Sequence, residues 1–250
     1  MQGGKRMNPY RYIRSKSIKD LISAAKRCDR LDLSPYANQG FNFNQLGEIA
    51  YAIVYLKLNP AEFLCFIDTS FTHHQLEVLF TGLKDNVNVT FYAKAEFTHK
   101  QMREIYEGLK NGLDVTVYAK TEFDWYTMQQ IRLAMETNHH EELFKFINTN
   151  NYTADQLREI RLGLEVDLDV SEYSNVGYSS ELMRVLREGL EKGLRPDVYL
   201  EYYHKGFTTD QLAVIRDGYL AKVNVRLYAN LTTPPEHMRT ILNRLINMKK

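Results

Sequence analysis

The residues with the most chemical potential in this chain are its histidines. His73 and His74 are adjacent, His99 holds the register of His73 in the next similar stretch, and His139-His140 precede Glu141-Glu142. Imidazoles and carboxylates in groups are the ligand types of a zinc site. Their spacing argues the other way. No HExxH or comparable ligand pattern occurs, and packed helices stand about 8–10 Å apart. The expectation is exposed first-turn histidines and no metal. Asp167 and Asp169 lie close enough to suggest acid/base work, but Asp169 suits a helix cap and nothing pairs either with an opposing carboxylate. There is no GxSxG elbow, P-loop or GxGxxG. The glycines of "EGLEKGL" and "EGLKNGL" end or thin helices. These readings predict no catalytic residues and no cofactor.

The arginines offer binding chemistry. Arg103, Arg158, Arg184 and Arg239 share one register of a repeated pattern; Arg132, Arg161, Arg187 and Arg216 share another, three residues on and on the same helix face. Stacked, they would form a basic stripe able to grip phosphates or acidic side chains. The competing reading is ion pairing inside the fold, because Glu104, Glu107, Glu136, Glu159, Glu165, Glu188 and Asp217 lie within reach. Arg11 and Arg14, interleaved with Tyr10 and Tyr12 in "NPYRYIRSK", could lie along a nucleic-acid backbone. The alternative there is a tail followed by a capping helix through "IKDLISAAKRC".

Net charge is +1 over 250 residues, which excludes a polyelectrolyte but hides a basic head and an acidic stretch between Glu122 and Glu172. Such faces could steer a charged partner or simply be solvated. No apolar run reaches the ~18 residues of a membrane-spanning helix, and the first residues lack a secretory-signal pattern. Cys28 and Cys65 are too few for a disulfide framework. A cytoplasmic protein with reduced thiols is expected.

What must position these residues is a repeat. "FTHHQLEVLFTGLKDNVNVTFYAK" is followed by "FTHKQMREIYEGLKNGLDVTVYAK", and later by "YTADQLREIRLGLEVDLDVSEYS" and "FTTDQLAVIRDGYLAKVNVRLYAN". Units begin near Phe41, Phe71, Phe97, Phe123, Tyr152, Tyr178, Phe207 and Thr233, with a period of about 26 residues that is longer in the first, fourth and sixth. Thr72 with Gln75, Thr98 with Gln101, Thr153 with Gln156 and Thr208 with Gln211 form capping boxes, with the preceding aromatic as a hydrophobic staple. Met102, Ile105 and Leu109 trace one face of a long helix, and Gly112 is a left-handed terminator. Asn88, Asp114, Asp169 and Asn224 cap a second, short helix. Gly82, Gly108, Gly163, Gly189 and Gly218 sit inside the long helix, replaced by Ala52, Ala134 and, in the last unit, Arg244. Each glycine costs about 0.5–1 kcal/mol there relative to alanine. The reading is that the small residue lets the following unit approach closely.

The consensus F-(S/T)-x-x-Q-(L/M)-x-x-I-x-x-G-L-x-x-G-(L/V)-D-V-x-x-Y-A resembles a tandem repeat of bacterial proteins carried by plasmids, integrated elements and phages, over about Tyr36 to Ile246. One unit cannot bury its apolar face alone, so stacking is required. The expected fold is all-α, a right-handed αα solenoid of about eight stacked long-helix/short-helix repeats. Residues 1–40 would be a basic segment with a capping helix or partial repeat, 41–232 the repeats, and 233–250 a C-terminal cap. Units four and six, with inserted residues, are where a superhelix would change pitch or present a loop. The expected function is non-enzymatic binding of a macromolecule, a protein first and a nucleic acid second. The resemblance implies an inhibitor or regulator of a host complex such as a defence nuclease.

Overall fold

A computed structural model describes residues 17–149 and 151–249, and all regular structure among them is helical. The chain divides into two compact units, Met1–Arg132 and Leu133–Lys250. The first holds α1 (Ile18–Asp29), α2 (Ser34–Asn38), α3 (Phe43–Val54), α4 (Pro60–Phe63), α5 (His73–Lys84) and α6 (His99–Lys110). The boundary falls inside α7 (Trp125–Glu136). The second holds α8 (His140–Thr149), α9 (Ala154–Leu164), α10 (Ser180–Leu190), α11 (Leu200–His204), α12 (Thr209–Leu220) and α13 (Pro235–Asn247). Packing runs between successive long helices: α1 on α3, α3 on α5 and α5 on α6 in the first unit; α9 on α10, α10 on α12 and α12 on α13 in the second. No described helix is long and apolar enough to cross a membrane, and Cys28 and Cys65 are exposed thiols.

Local chemistry sets the helix ends. The boxes at Thr72, Thr98, Thr153 and Thr208 are all formed, each threonine oxygen accepting the glutamine N–H and each glutamine accepting the threonine N–H. Asn42 with Gln45 makes a fifth, and Asn59 with Glu62 caps α4 in the same way. Asn88, Asp114, Asp169 and Asn224 cap 3-10 turns at Val89–Phe91, Val115–Val117, Val170–Glu172 and Val225–Leu227. The second element of these repeats is thus a single 3-10 turn. Gly112 ends its helix at φ +75°, and Asn86, Asp167 and Lys222 take the same left-handed conformation elsewhere. Both acids of the Asp167/Asp169 pair are therefore accounted for by backbone geometry.

The helix glycines require a correction. A methyl group on any of the five would lie 1.8–2.2 Å from the hydroxyl oxygen of Tyr92, Tyr118, Tyr173, Tyr199 or Tyr228, the tyrosine that closes the same repeat. The missing side chain admits that phenol, not the following unit. Tyr118, Tyr173, Tyr199 and Tyr228 donate to the carbonyls of Glu104, Glu159, Val185 and Val214 at 2.9–3.2 Å. Where the helix carries alanine, at Ala52 and Ala134, the matching position is Glu62 or Phe144 and no phenol needs the space.

The longer units also differ from a loop insertion. In the first and fourth units α4 and α8 stand where the others have a 3-10 turn, and in the sixth α11 extends the turn at Pro196–Val198. In the fourth and sixth units the extra residues are largely helical.

One recurring backbone contact joins repeat to repeat. Gln75 Nε2 donates to the carbonyls of Ala95 and Phe97 at 3.0 and 2.6 Å, and Gln101 Nε2 to those of Thr121 and Phe123 at 3.4 and 2.7 Å. Gln45, Gln156 and Gln211 make the same pair of bonds to the next unit. The oxygen of each amide caps its own helix while the nitrogen holds the entry of the next.

Candidate functional site

The two arginine registers separate completely in their surroundings. Arg132, Arg161, Arg187 and Arg216 keep only 6–13% of their side-chain exposure. Arg132 Nε lies 2.9 Å from Glu104 and Arg187 Nε 2.9 Å from Glu159. Arg216 reaches Glu188 at 2.7 Å, Asp217 at 2.9 Å and the Val185 carbonyl at 3.3 Å, and Arg161 pairs with Glu165. Three of the four thus bind a carboxylate of the preceding long helix. Burial alone would lower the Arg216 pKa, but Asp217 and Glu188 more than offset it and the net shift is upward. Burial would raise Asp217, yet Arg239 and Arg216 hold it below the ordinary carboxylate range. This register is a structural seam. A guanidinium so enclosed presents no edge to an outside phosphate.

The other register stays accessible. Arg103, Arg158, Arg184 and Arg239 keep 42–51% of their side-chain exposure. Arg158 and Arg239 touch Glu159 and Asp217, carboxylates that the buried arginines already hold, while Arg184 approaches Glu188 only at 3.7 Å. Arg158 and Arg184 line an open groove of about 190 Å³ with Asp155, Glu159, Ser180 and Glu181. Of the arginines singled out in the sequence, Arg11 and Arg14 lie outside the described residues.

The histidines gather more closely than their registers suggest, with a different pairing. The ring of His74 lies 5.1 Å from that of His99 between centroids, and His73 meets His74 at 3.9 Å, both contacts tilted by 38–39°. Among the described residues no three histidines, cysteines or carboxylates are placed to hold a metal ion. A second groove, of about 490 Å³, opens between the ends of α3 and α5 and is lined by Leu56, Lys57, Glu62, Lys84 and Asn88, among others. It brings ammonium groups together without an opposing nucleophile.

Two features of the surface escape sequence reasoning. The inter-repeat glutamines look like ordinary caps; the signal available was that these boxes carry Gln and never Glu, since only an amide can donate onward. The second is a set of bare apolar side chains in the second unit. Val198 and Leu227 occupy one repeat position, Val176 and Leu231 another, and all are exposed, Leu227 by 62%. Their recurrence at matched positions was visible in the sequence. Their exposure was not, because Val115 and Tyr118 nearby in the same motif are buried. Compared with family models, curated proteins and solved structures, the chain matches none.

Proposed function

We propose that this is a non-enzymatic, cytoplasmic helical-repeat protein, its repeats stacked as a right-handed αα solenoid of about eight units, that docks on a macromolecular partner, a protein in the first place. The observation that supports this is the recurrence of Val198 and Leu227, and of Val176 and Leu231, as exposed apolar side chains at matched repeat positions. Scattered exposed apolar residues need no explanation, whereas a repeated set marks an interaction surface. The resemblance to repeats of mobile-element proteins extends the reading: the partner would be a host complex, such as a defence nuclease, that this protein inhibits or regulates.

A nucleic-acid ligand is the second reading, favoured by the accessible edges of Arg158, Arg184 and Arg239. One experiment separates the two. Tagged protein is used to capture partners from a lysate of its native host and, in parallel, is titrated with generic RNA and DNA over a salt series. The protein reading predicts one co-purifying protein species that is lost with Val198→Asp plus Leu227→Asp, and no nucleic-acid affinity at low salt. Strong salt-dependent oligonucleotide binding that vanishes in Arg158→Ala/Arg184→Ala/Arg239→Ala would replace it with the second.

A further inference from the structure

We propose that the first turns of α5 and α6 form an acid-sensitive joint, in which His73 and His99, bridged by the His74 ring, hold the two helix ends together when neutral and push them apart when protonated. The geometry carries this. The rings of His73 and His74 lie 3.9 Å apart between centroids, and His74 bridges to His99 on the next repeat at 5.1 Å. A chain of neighbouring imidazoles favours the uncharged state, because each added proton places like charges a few ångströms apart. This reading is independent of the docking surface, which lies in the other unit.

The surrounding charges set the balance. Glu77 on α5 lies 3.9 Å from His74 and 3.9 Å from Arg103, so its carboxylate is shared. Lys100 and Arg103 on α6 oppose protonation of His99. The Lys100 ammonium sits over the Trp125 ring at 4.6 Å, linking the joint to the start of α7, where Asp124 accepts from the Thr127 N–H. On the α3 side the first turn carries the uncharged Phe43 and Asn44. Burial, followed by His74, pushes the pKa of His73 down, and burial followed by His74, Lys100 and Arg103 does the same to His99. A histidine whose folded pKa is depressed gives its full stability above its unfolded value, near 6.5, and loses it as pH falls from there through the lower folded value. In the second unit the corresponding turns carry Asp155, Glu181 and Asp210.

Trp125 is the sole tryptophan, so its emission reports on this edge without labelling. The full chain, His74→Gln and Glu77→Gln are compared by emission and thermal midpoint from pH 7.5 to 5.0. His74 is 55% exposed at its side chain, so the His74→Gln chain is expected to fold normally at pH 7.5. The wild type should lose thermal stability and shift its Trp125 emission together on the acid side of about pH 6.5. His74→Gln should lose most of that response, and Glu77→Gln, lacking the counter-charge, should show a larger one with the same onset that extends to lower pH. Equal acid responses in the wild type and His74→Gln, or no response in either, would overturn the proposal.

Discussion

The same repeat position is filled by two chemistries along the chain, an apolar or aromatic residue in the first three repeats and arginine in the next four. Nine residues after the leading aromatic, α3, α5 and α6 carry Ala50, Phe80 and Tyr106, whereas α7, α9, α10 and α12 carry Arg132, Arg161, Arg187 and Arg216. In the first unit Phe80 meets Phe63 edge to face at 5.0 Å, and Tyr106 reaches Asp85 with its hydroxyl at 2.6 Å, alongside Lys110 at 2.8 Å. In the second, Arg187 and Arg216 are locked onto carboxylates of the preceding repeat. The repeat therefore specifies a largely buried position, not a side-chain type or size. The two solutions differ in how they fail, because an apolar seam loses area whereas an ionic seam strands a charge.

That difference sets the largest expected effect. Glu159→Ala takes the buried carboxylate from Arg187, leaving it Glu191, and from Arg158, and should cost about 3 kcal/mol, read by urea denaturation. Removing both partners, as Glu159→Leu with Arg187→Met, should recover most of the loss, since a buried pair replaced by apolar groups of similar volume is close to neutral. Phe80→Ala should also cost about 3–5 kcal/mol, through lost burial and a cavity. In that case no second substitution of a charged neighbour will restore it. If Glu159→Ala proves mild, the ionic seam is decorative and the contrast between the units collapses.

A smaller effect sharpens the comparison within a single motif. Gly108→Ala forces a methyl group against the Tyr118 oxygen and should cost about 1–3 kcal/mol. Adding Tyr118→Phe removes that oxygen and should return most of the loss, helped by the better helix propensity of alanine. The tyrosine changes alone should not be equal. Tyr118→Phe gives up its bond to the Glu104 carbonyl, about 0.5–1.5 kcal/mol. Tyr92→Phe should be close to neutral, because the buried Tyr92 hydroxyl has no hydrogen-bond partner. Thermal midpoints of the four chains decide both points.

Much of the architecture was legible in the sequence because it is written in local chemistry. Thr98 with Gln101, and Asp114 ahead of Val115, mark their helix starts within a few residues of themselves. What the letters could not reveal was who meets whom across repeats. Gly108 advertises that something needs space, but only the fold identifies it as the phenol of Tyr118. Arg158 and Arg187 carry the same charge in registers only three residues apart, yet one is half exposed and the other enclosed, the first meeting Oε1 of Glu159 and the second Oε2. The histidines show the same limit. Register pairs His73 with His99, while side-chain direction pairs His74 with it.

The central claim is that each repeat is completed by the next, and the glutamine amide tests it most directly. Gln101→Glu keeps an oxygen for the Thr98 N–H but replaces the donor to Phe123 with a carboxylate facing carbonyls. The thermal midpoint should fall by an amount equivalent to about 1–3 kcal/mol, with helix content by circular dichroism unchanged below the transition. An unchanged midpoint would mean that the helices are held only by their own caps and that the coupling between repeats described above is not what stabilises the fold.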